Sequence, residues 1–244
     1  IIYEDENFLA LNKPGWLVCH PSKNGPLSSL VGAAREYLGA ETLHPVSRLD
    51  RETSGVVVIA KNYAAASKAQ KAVSISGAVK KTYLAFMEGR LGATATISQP
   101  LADDKKSLVS IKTCCAAQKP SAKSAVTIFR PLSHSRRGGR GFTLCEVSLL
   151  TGRKHQIRAH AQWLGHCVAG EKIYGPDETL YLDFVERGFT PEMAEILPIK
   201  RQALHAAAMD FGAAVPELNL RAPLPKDLRE FAEKYGIEVP EKYL

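Results

Sequence analysis

HPVSRLDRETSGVVVIAKN, residues 44–62, sets a single carboxylate, Asp50, between Arg48 and Arg51 and then runs through Thr53, Ser54 and Gly55 into unbroken apolar sequence from Val56 to Ala60. The apolar run reads as a buried strand. An acid among arginines at a strand entrance has a plain structural explanation, a surface salt bridge of small energetic worth. A chemical explanation needs more. In phosphatases with an aspartate nucleophile the acid follows a buried strand, whereas here it precedes one. With no carboxylate cluster to hold a metal beside a phosphoryl group, phosphoryl transfer is the weaker reading.

Working outward, the segment before this stretch starts with a strand from Ile1, interrupted by the acidic turn Glu4 to Asn7 and resumed through Phe8 to Asn12. Lys13-Pro14-Gly15 breaks it. A short extended piece is predicted at Trp16 to Pro21, and a helix from Leu27 to Leu38, ended by Gly39. After the opening stretch, Asn62 is a predicted N-cap for an alanine-rich helix over Tyr63 to Ser74. Strands are expected at Lys81 to Gly89, Leu108 to Cys115, Ala122 to Leu132 and Gly141 to Leu150. The last two are joined by a polar, glycine-bearing hairpin loop, residues 133–140. Thr151-Gly152 is expected to open a helix carrying Ile157, Ala161 and Leu164 and stopped by Gly165. Residues from about 176 to 200 form an acidic inserted surface segment. A strand at Leu204 to Phe211 and a helix at Pro225 to Tyr235 close the chain. Strands outnumber helices without regular alternation, which predicts an α+β fold with a mixed, largely antiparallel sheet and flanking helices in a single domain over residues 1–244.

The chain has 244 residues, 45% of them apolar, enough for a substantial core. Its 32 basic against 25 acidic side chains give a charge of +7, and the imbalance is local. Between Lys105 and His160 stand twelve Lys and Arg against one acid, Glu146. Clustered cations of this kind displace counterions from a phosphate backbone, so RNA is the expected partner, against a solvated face that only aids solubility. The five cysteines are odd in number and contain no CxxC pair, and His155 and His160 are five apart, so no metal site is expected. GxxxxGK[ST] and GxGxxG are also absent, so no nucleotide cofactor is implied. No window of 18 apolar residues and no signal peptide is present, which points to the cytoplasm and to no membrane association. The first residue is Ile1 rather than Met, which leaves a preceding segment open.

Four blocks in register carry a family resemblance. Arg48-Leu49-Asp50-Arg51-Glu52-Thr53-Ser54-Gly55 resembles the RLDxxTSG signature of the RluA-type RNA pseudouridine synthases. Asn12-Lys13-Pro14-Gly15 with His20-Pro21, Lys81-Thr82-Tyr83-Leu84-Ala85, and the run from Thr151 to His160 with Gly165-His166 and Gly170 match in the same order. The similarity extends from Ile1 to about Pro225.

The resemblance implies a TruA-like fold, a bent mixed sheet with a central cleft, and isomerisation of uridine in structured ribosomal or transfer RNA without a cofactor. It implies Asp50 as the catalytic acid, Tyr83 against the target base and Arg158 paired with the catalytic carboxylate. Arg48 is expected to hold the flipped nucleotide or the gap it leaves, and Ile157 to floor the pocket. Arg153, Lys154, His155 and Gln156 are expected at the substrate. Lys154 stands where the family more often has a small hydroxyl residue. Arg136, Arg137 and Arg140 are expected to reach distal phosphates, and the chain to act as a monomer.

The chemistry agrees with these roles. A guanidinium within hydrogen-bonding range keeps a carboxylate ionised and aimed, where burial alone would protonate it. An aromatic ring repays part of the stacking lost when a base is flipped. Whether Asp50 adds to C6, bonds C1′ or removes the 2′ proton stays open. The alternative is a non-catalytic RNA-binding protein or RNA chaperone on the same scaffold, which keeps the basic footprint without needing Asp50.

Overall fold

A computed structural model describes residues 1–20, 28–137 and 139–244. Pro21, Leu27 and Gly138, each part of an expected block, helix or loop, lie outside the described residues. In chain order the elements are β1 (Tyr3–Glu4), β2 (Phe8–Lys13), α1 (Leu30–Leu38), β3 (His44–Pro45), β4 (Ser54–Ala60), α2 (Tyr63–Ser74) and β5 (Lys80–Glu88). There follow β6 (Ala95–Ser98), β7 (Leu101–Asp103), β8 (Thr113–Cys115), β9 (Val126–His134), β10 (Phe142–Leu149) and α3 (Gln156–Trp163). The chain closes with α4 (Thr179–Arg187), α5 (Pro191–Ile196), β11 (Leu204–Asp210), β12 (Asn219–Arg221) and α6 (Lys226–Tyr235). The class is α+β, with largely antiparallel strand pairing and flanking helices.

The chain forms two compact units, and their boundary falls inside β5, between Tyr83 and Leu84. The first unit comprises residues 1–83, residues 205–225 and Tyr243. Its strands run in the order β1-β2-β4-β11, with β3 beside β4 and β12 beside β11. β2 and β4 are antiparallel in a register that sets Phe8 against Ala60 and Lys13 against Gly55. β4 and β11 are parallel, with Ser54 opposite His205 and Gly55 opposite Ala206.

Every residue of β4 is buried, and its alternation explains why the sequence shows no polar face. Val56, Val58 and Ala60 pack on Ala65, Ala66, Ala69 and Ala72 of α2. Val57 and Ile59 pack the other way, with Leu30, Val31 and Ala34 of α1 and with Cys19. Asn62 caps α2, its side chain accepting from the Ala65 N–H, as the sequence implies. The short extended piece expected at Trp16 to Pro21 joins no sheet over the described part of that segment. The Val18 and Cys19 carbonyls instead accept the N–H groups of Leu30 and Val31, satisfying backbone donors at the start of α1 that lack a partner in the helix.

The second unit comprises residues 84–204, residues 226–242 and Leu244. Within it β10, β9 and β6 are successive antiparallel neighbours, and β7 and β8 form a separate antiparallel pair. Phe86, Phe142 and Phe231 meet edge to face, which seats α6. The strand expected from Leu108 shrinks to β8. Residues before it turn around the Glu178 carboxylate, which accepts from the Ser107 hydroxyl, the Leu108 N–H and the Lys112 ammonium. The inserted segment folds as α4 and α5 over a small apolar cluster of Leu180, Met193 and Leu197.

Gly55 marks the tightest point of the first unit. Its φ is +113°, and a Cβ there would lie 2.2 Å from the Ala206 carbonyl oxygen. Gly77 also has positive φ, +77°, but open space around it. Gly55→Ala is expected to lower unfolding free energy by at least about 3 kcal/mol, strain and collision together. Gly77→Ala should lower it by only about 1 kcal/mol, with urea denaturation of the two variants giving the comparison.

Candidate active site

Asp50 sits half-buried in the turn between β3 and β4, closed by a hydrogen bond of 3.1 Å from the Thr53 N–H to the Asp50 carbonyl. The turn is tied down from two sides. Lys13 is fully buried, and its ammonium donates to the carbonyls of Pro14 (2.8 Å), Leu17 (2.7 Å) and Arg51 (2.9 Å). Buried charge is tolerated only where dipoles replace water, and these three carbonyls do that. Cys19 Sγ meets both the N–H and the carbonyl of Leu49, at 3.3 and 3.4 Å. Burial pushes its thiol pKa up, so it remains a protonated donor. Behind the turn, His205 Nε2 faces the Ala222 carbonyl and so carries the proton, which leaves Nδ1 to accept from the Ser54 hydroxyl at 3.0 Å.

Tyr83 lies on β5 within the same unit and keeps part of its surface exposed. Desolvation of its hydroxyl first, and the negative charge of Asp50 second, push its pKa well above the usual 10. The phenol is therefore protonated throughout the neutral range, and it stands near enough to Asp50 to feel its charge. The first unit thus brings together two of the three residues expected to carry chemistry. Arg48, two residues before Asp50, is exposed.

In the second unit the run from Thr151 to His160 does not open a helix at once. Thr151 Oγ1 and the Arg153 N–H both bond to Gln156 Oε1, at 2.8 and 3.0 Å, and His155 adopts φ +54°, so α3 begins at Gln156. The Gln156 amide also donates to the Val126 carbonyl and to Thr127 Oγ1. Two donors and two acceptor sites are thereby used within the chain, which makes Gln156 an anchor for α3 rather than a substrate contact. His160 is likewise structural: Nε2 meets the Gln99 carbonyl and Nδ1 meets Thr127 Oγ1. Ile157 is buried, while Arg153 and Lys154 are exposed.

Arg158 is buried and pairs with Glu171, Nε to Oε2 at 2.7 Å and Nη2 to Oε1 at 2.6 Å. Burial opposes the Glu171 charge, but the Arg158 charge and hydrogen bonds, with the Ile173 N–H, outweigh it and hold the carboxyl below the usual range. The pairing of Arg158 with Asp50 that the resemblance implies joins residues of different units, and it enters the functional proposal on the strength of the family.

The basic run is less bare than its sequence. At least five of its twelve cations meet acids: Lys112 with Glu178, Arg130 with Glu146, Arg136 with Glu238, Arg140 with Glu88 and Arg158 with Glu171. Four of these acids come from outside the run. Arg140 is the most committed of the hairpin arginines, bonding both Glu88 oxygens and the Ile196 carbonyl. The backbone N–H groups of Arg136 and Arg137 donate to the Tyr235 carbonyl at the end of α6, so that part of the loop is docked while the Arg136 side chain stays exposed. In the same unit a cavity of about 350 Å³ is lined by Lys123, Arg153 and Lys154 with Ser121, Thr113 and Asp103.

Lys13 and Cys19 in the first unit and Glu171 in the second carry no individual signal in the sequence. Lys13 lies in one of the four matching blocks, and the sequence alone shows only that it ends a strand. Cys19 carried no signal beyond its apolar neighbours. Glu171 follows Gly170, and its acidity offered no clue to a partner 13 positions back.

The RNA pseudouridylate synthase family profile matches residues 7–163. The chain is 34% identical over 234 residues to ribosomal large subunit pseudouridine synthase D of Xylella fastidiosa, covering 93% of this chain and 66% of that protein. It is 31% identical to the protein of the same name from Vibrio parahaemolyticus, covering 97% and 73%. The chain thus spans about two thirds to three quarters of the length of these relatives. Among solved structures, human RNA pseudouridylate synthase domain containing 4 superposes with a TM-score of 0.75 at 24% identity, covering 99% of this chain and 94% of that one, a likeness of fold.

The electrostatic link between Asp50 and Tyr83 is directly measurable. Asp50→Asn removes the negative charge that disfavours phenolate, so the Tyr83 pKa is expected to fall while staying above 10 through desolvation. NMR titration of ring-labelled tyrosine in both proteins reads the shift, and an unmoved Tyr83 titration would contradict the link.

Proposed function

This chain belongs to the RNA pseudouridylate synthase family, and we propose that it isomerises uridine to pseudouridine in structured RNA by an aspartate-dependent route through Asp50. The observation that carries the reading is the first unit's pairing of a half-buried carboxylate, in a turn pinned by a buried lysine, with a tyrosine whose phenol feels that carboxylate. An ordinary surface salt bridge would need neither the anchored turn nor the aromatic ring.

In this reading a uridine leaves its stack and lies against Tyr83, and stacking offsets part of the extrusion cost. The ionised Asp50 starts the reaction. The N1–C1′ bond breaks, the uracil turns, C5 bonds to C1′, and the C5 proton is released as N1 takes one up. The base is both leaving group and incoming nucleophile, and its confinement in the pocket replaces a bimolecular encounter. Because Tyr83 holds its proton tightly, it serves as a platform rather than as a standing base. The family resemblance supports a role for the Arg158 guanidinium as the partner of the catalytic carboxylate, one that would keep the acid charged and aimed. Ile157 floors the pocket, and Arg48 holds the flipped nucleotide or the gap it leaves.

The relatives named for the large ribosomal subunit support large-subunit ribosomal RNA as the substrate over transfer RNA. Its phosphates would run past Lys123, Arg153 and Lys154 at the cavity, with His155 setting the backbone there. Arg136 and Arg137 would add distal contacts, and Arg140 would contribute less because Glu88 already compensates its charge. Among the described residues no helix is long and apolar enough to cross a membrane. A monomer working in the cytoplasm beside ribosomal RNA fits this reading.

Two measurements test it. Asp50→Asn should abolish tritium release from RNA labelled with 5-tritiated uridine while RNA binding survives; a wild-type protein that releases none leaves the non-catalytic alternative standing. Reversing both charges with Arg136→Glu and Arg137→Glu should weaken binding and flatten the slope of log affinity against log salt by about 0.7 to 0.9 per lost phosphate contact. An unchanged slope would make the hairpin a bystander.

A further inference from the structure

We infer that Glu171 is the positioning residue for Arg158, holding its guanidinium by one edge so that the opposite edge is presented in a single direction. The inference rests on the reading that Arg158 serves the catalytic carboxylate, and it adds a residue that the motif comparison did not single out.

A guanidinium is a rigid plane with two usable forks, one formed by Nε with Nη2 and the other by Nη1 with the remaining Nη2 proton. Glu171 takes the first, with contacts of 2.7 and 2.6 Å. The Tyr174 ring borders the guanidinium as well, with Arg158 Cζ 5.1 Å from its centre. With one edge held at two points and the guanidinium planar, the direction of the Nη1 fork follows from covalent geometry.

The mount is itself held. Glu171 Oε1 accepts from the Ile173 N–H at 3.0 Å. The Tyr174 hydroxyl accepts from the Thr113 N–H at 3.0 Å and meets His155 Nδ1 at 2.9 Å. Gly170, just before Glu171, has φ +76°, and a Cβ there would lie 2.2 Å from the Arg201 carbonyl oxygen, so the backbone leading into the carboxylate has little room to shift.

The energetic argument points the same way. Burying both partners of an ion pair costs desolvation that the attraction roughly repays, so such a pair adds little stability over apolar side chains of similar volume. What it does supply is direction. The carboxylate side chain is 1% exposed and the guanidinium 6%, so water screens neither. The competing explanation is that the pair only fastens the loop after α3 to that helix.

Glu171→Gln separates the two. An amide offers one acceptor and one donor, so one of the two Arg158 N–H groups would face another donor and the fork would turn. The assay is tritium release from unmodified large-subunit ribosomal RNA transcribed with 5-tritiated uridine, alongside thermal unfolding of every variant. Glu171→Gln is expected to fold and to lose about 100-fold in kcat, with KM changed by less than about threefold. Glu171→Asp, which keeps the charge and both acceptors, should return to within about tenfold of wild type. If Glu171 acts through Arg158, the doubly neutral R158Q/E171Q protein should be no slower than R158Q alone.

A folded E171Q protein with wild-type kcat overturns the inference, as does a further tenfold loss in R158Q/E171Q beyond R158Q. That second comparison leaves no buried charge unpaired in the double variant, so it decides the matter even where E171Q does not fold. Silence of the wild-type protein overturns the isomerase reading itself, and the inference with it. Wild-type turnover together with an indifferent E171Q overturns the inference alone.

Discussion

A strand sealed on both faces tolerates no slip in register, and β4 imposes that constraint on the first unit. Because side chains alternate, moving β4 by one residue would send the valines that meet α2 toward α1 and those that meet α1 toward α2. The close approach of Gly55 to the Ala206 carbonyl removes the remaining freedom along the parallel pair with β11. The turn that carries Asp50 enters this strand directly, so its position is inherited from the core. Lys13, paired in register with Gly55, ends β2 at the mouth of that turn and reaches the Arg51 carbonyl from there. Packing sets where the turn begins, and a buried ammonium sets how it closes.

In the second unit charge pairs join a buried apolar core in placing the loops and helices. Twelve of its cations come from one stretch of chain, and four of the acids that meet them come from elsewhere, so that the fold sorts a basic run into compensated and presented members. Arg140 and Lys112 are drawn into holding loops and the inserted helices together. Lys123, Arg153 and Lys154 are left facing a cavity. Arg158 is withdrawn from the surface altogether and fixed by Glu171. A count of cations along the chain measures the raw supply for a polyanion surface, and pairing decides how much of it remains.

Element boundaries show where local reasoning holds. Asn62 and α2 were legible because an N-cap and the helix it starts are neighbours in sequence. The extended piece expected at Trp16 pairs in no sheet over its described part, and the strand expected from Leu108 shortens to β8, because their backbone partners lie elsewhere. The Val18 and Cys19 carbonyls are claimed by the start of α1, and the turn before β8 closes around a glutamate 66 to 71 positions downstream. The late start of α3 has the same character, since a glutamine amide organises the five residues before it and a left-handed histidine delays the helix.

What the sequence by itself determined is the buried strand after Asp50, the α+β class, the basic stretch and, through four blocks in register, the family. These are legible because hydrophobic period, caps and motif spacing are properties of adjacent residues. Only the tertiary structure decided that Lys13 pins the turn carrying Asp50, that Gln156 is spent on its own helix, that Arg140 is paired with Glu88 and that Glu171 holds Arg158. The partner of a buried charge is selected by which segments the core brings within about 3 Å, and no pattern along the chain encodes that distance.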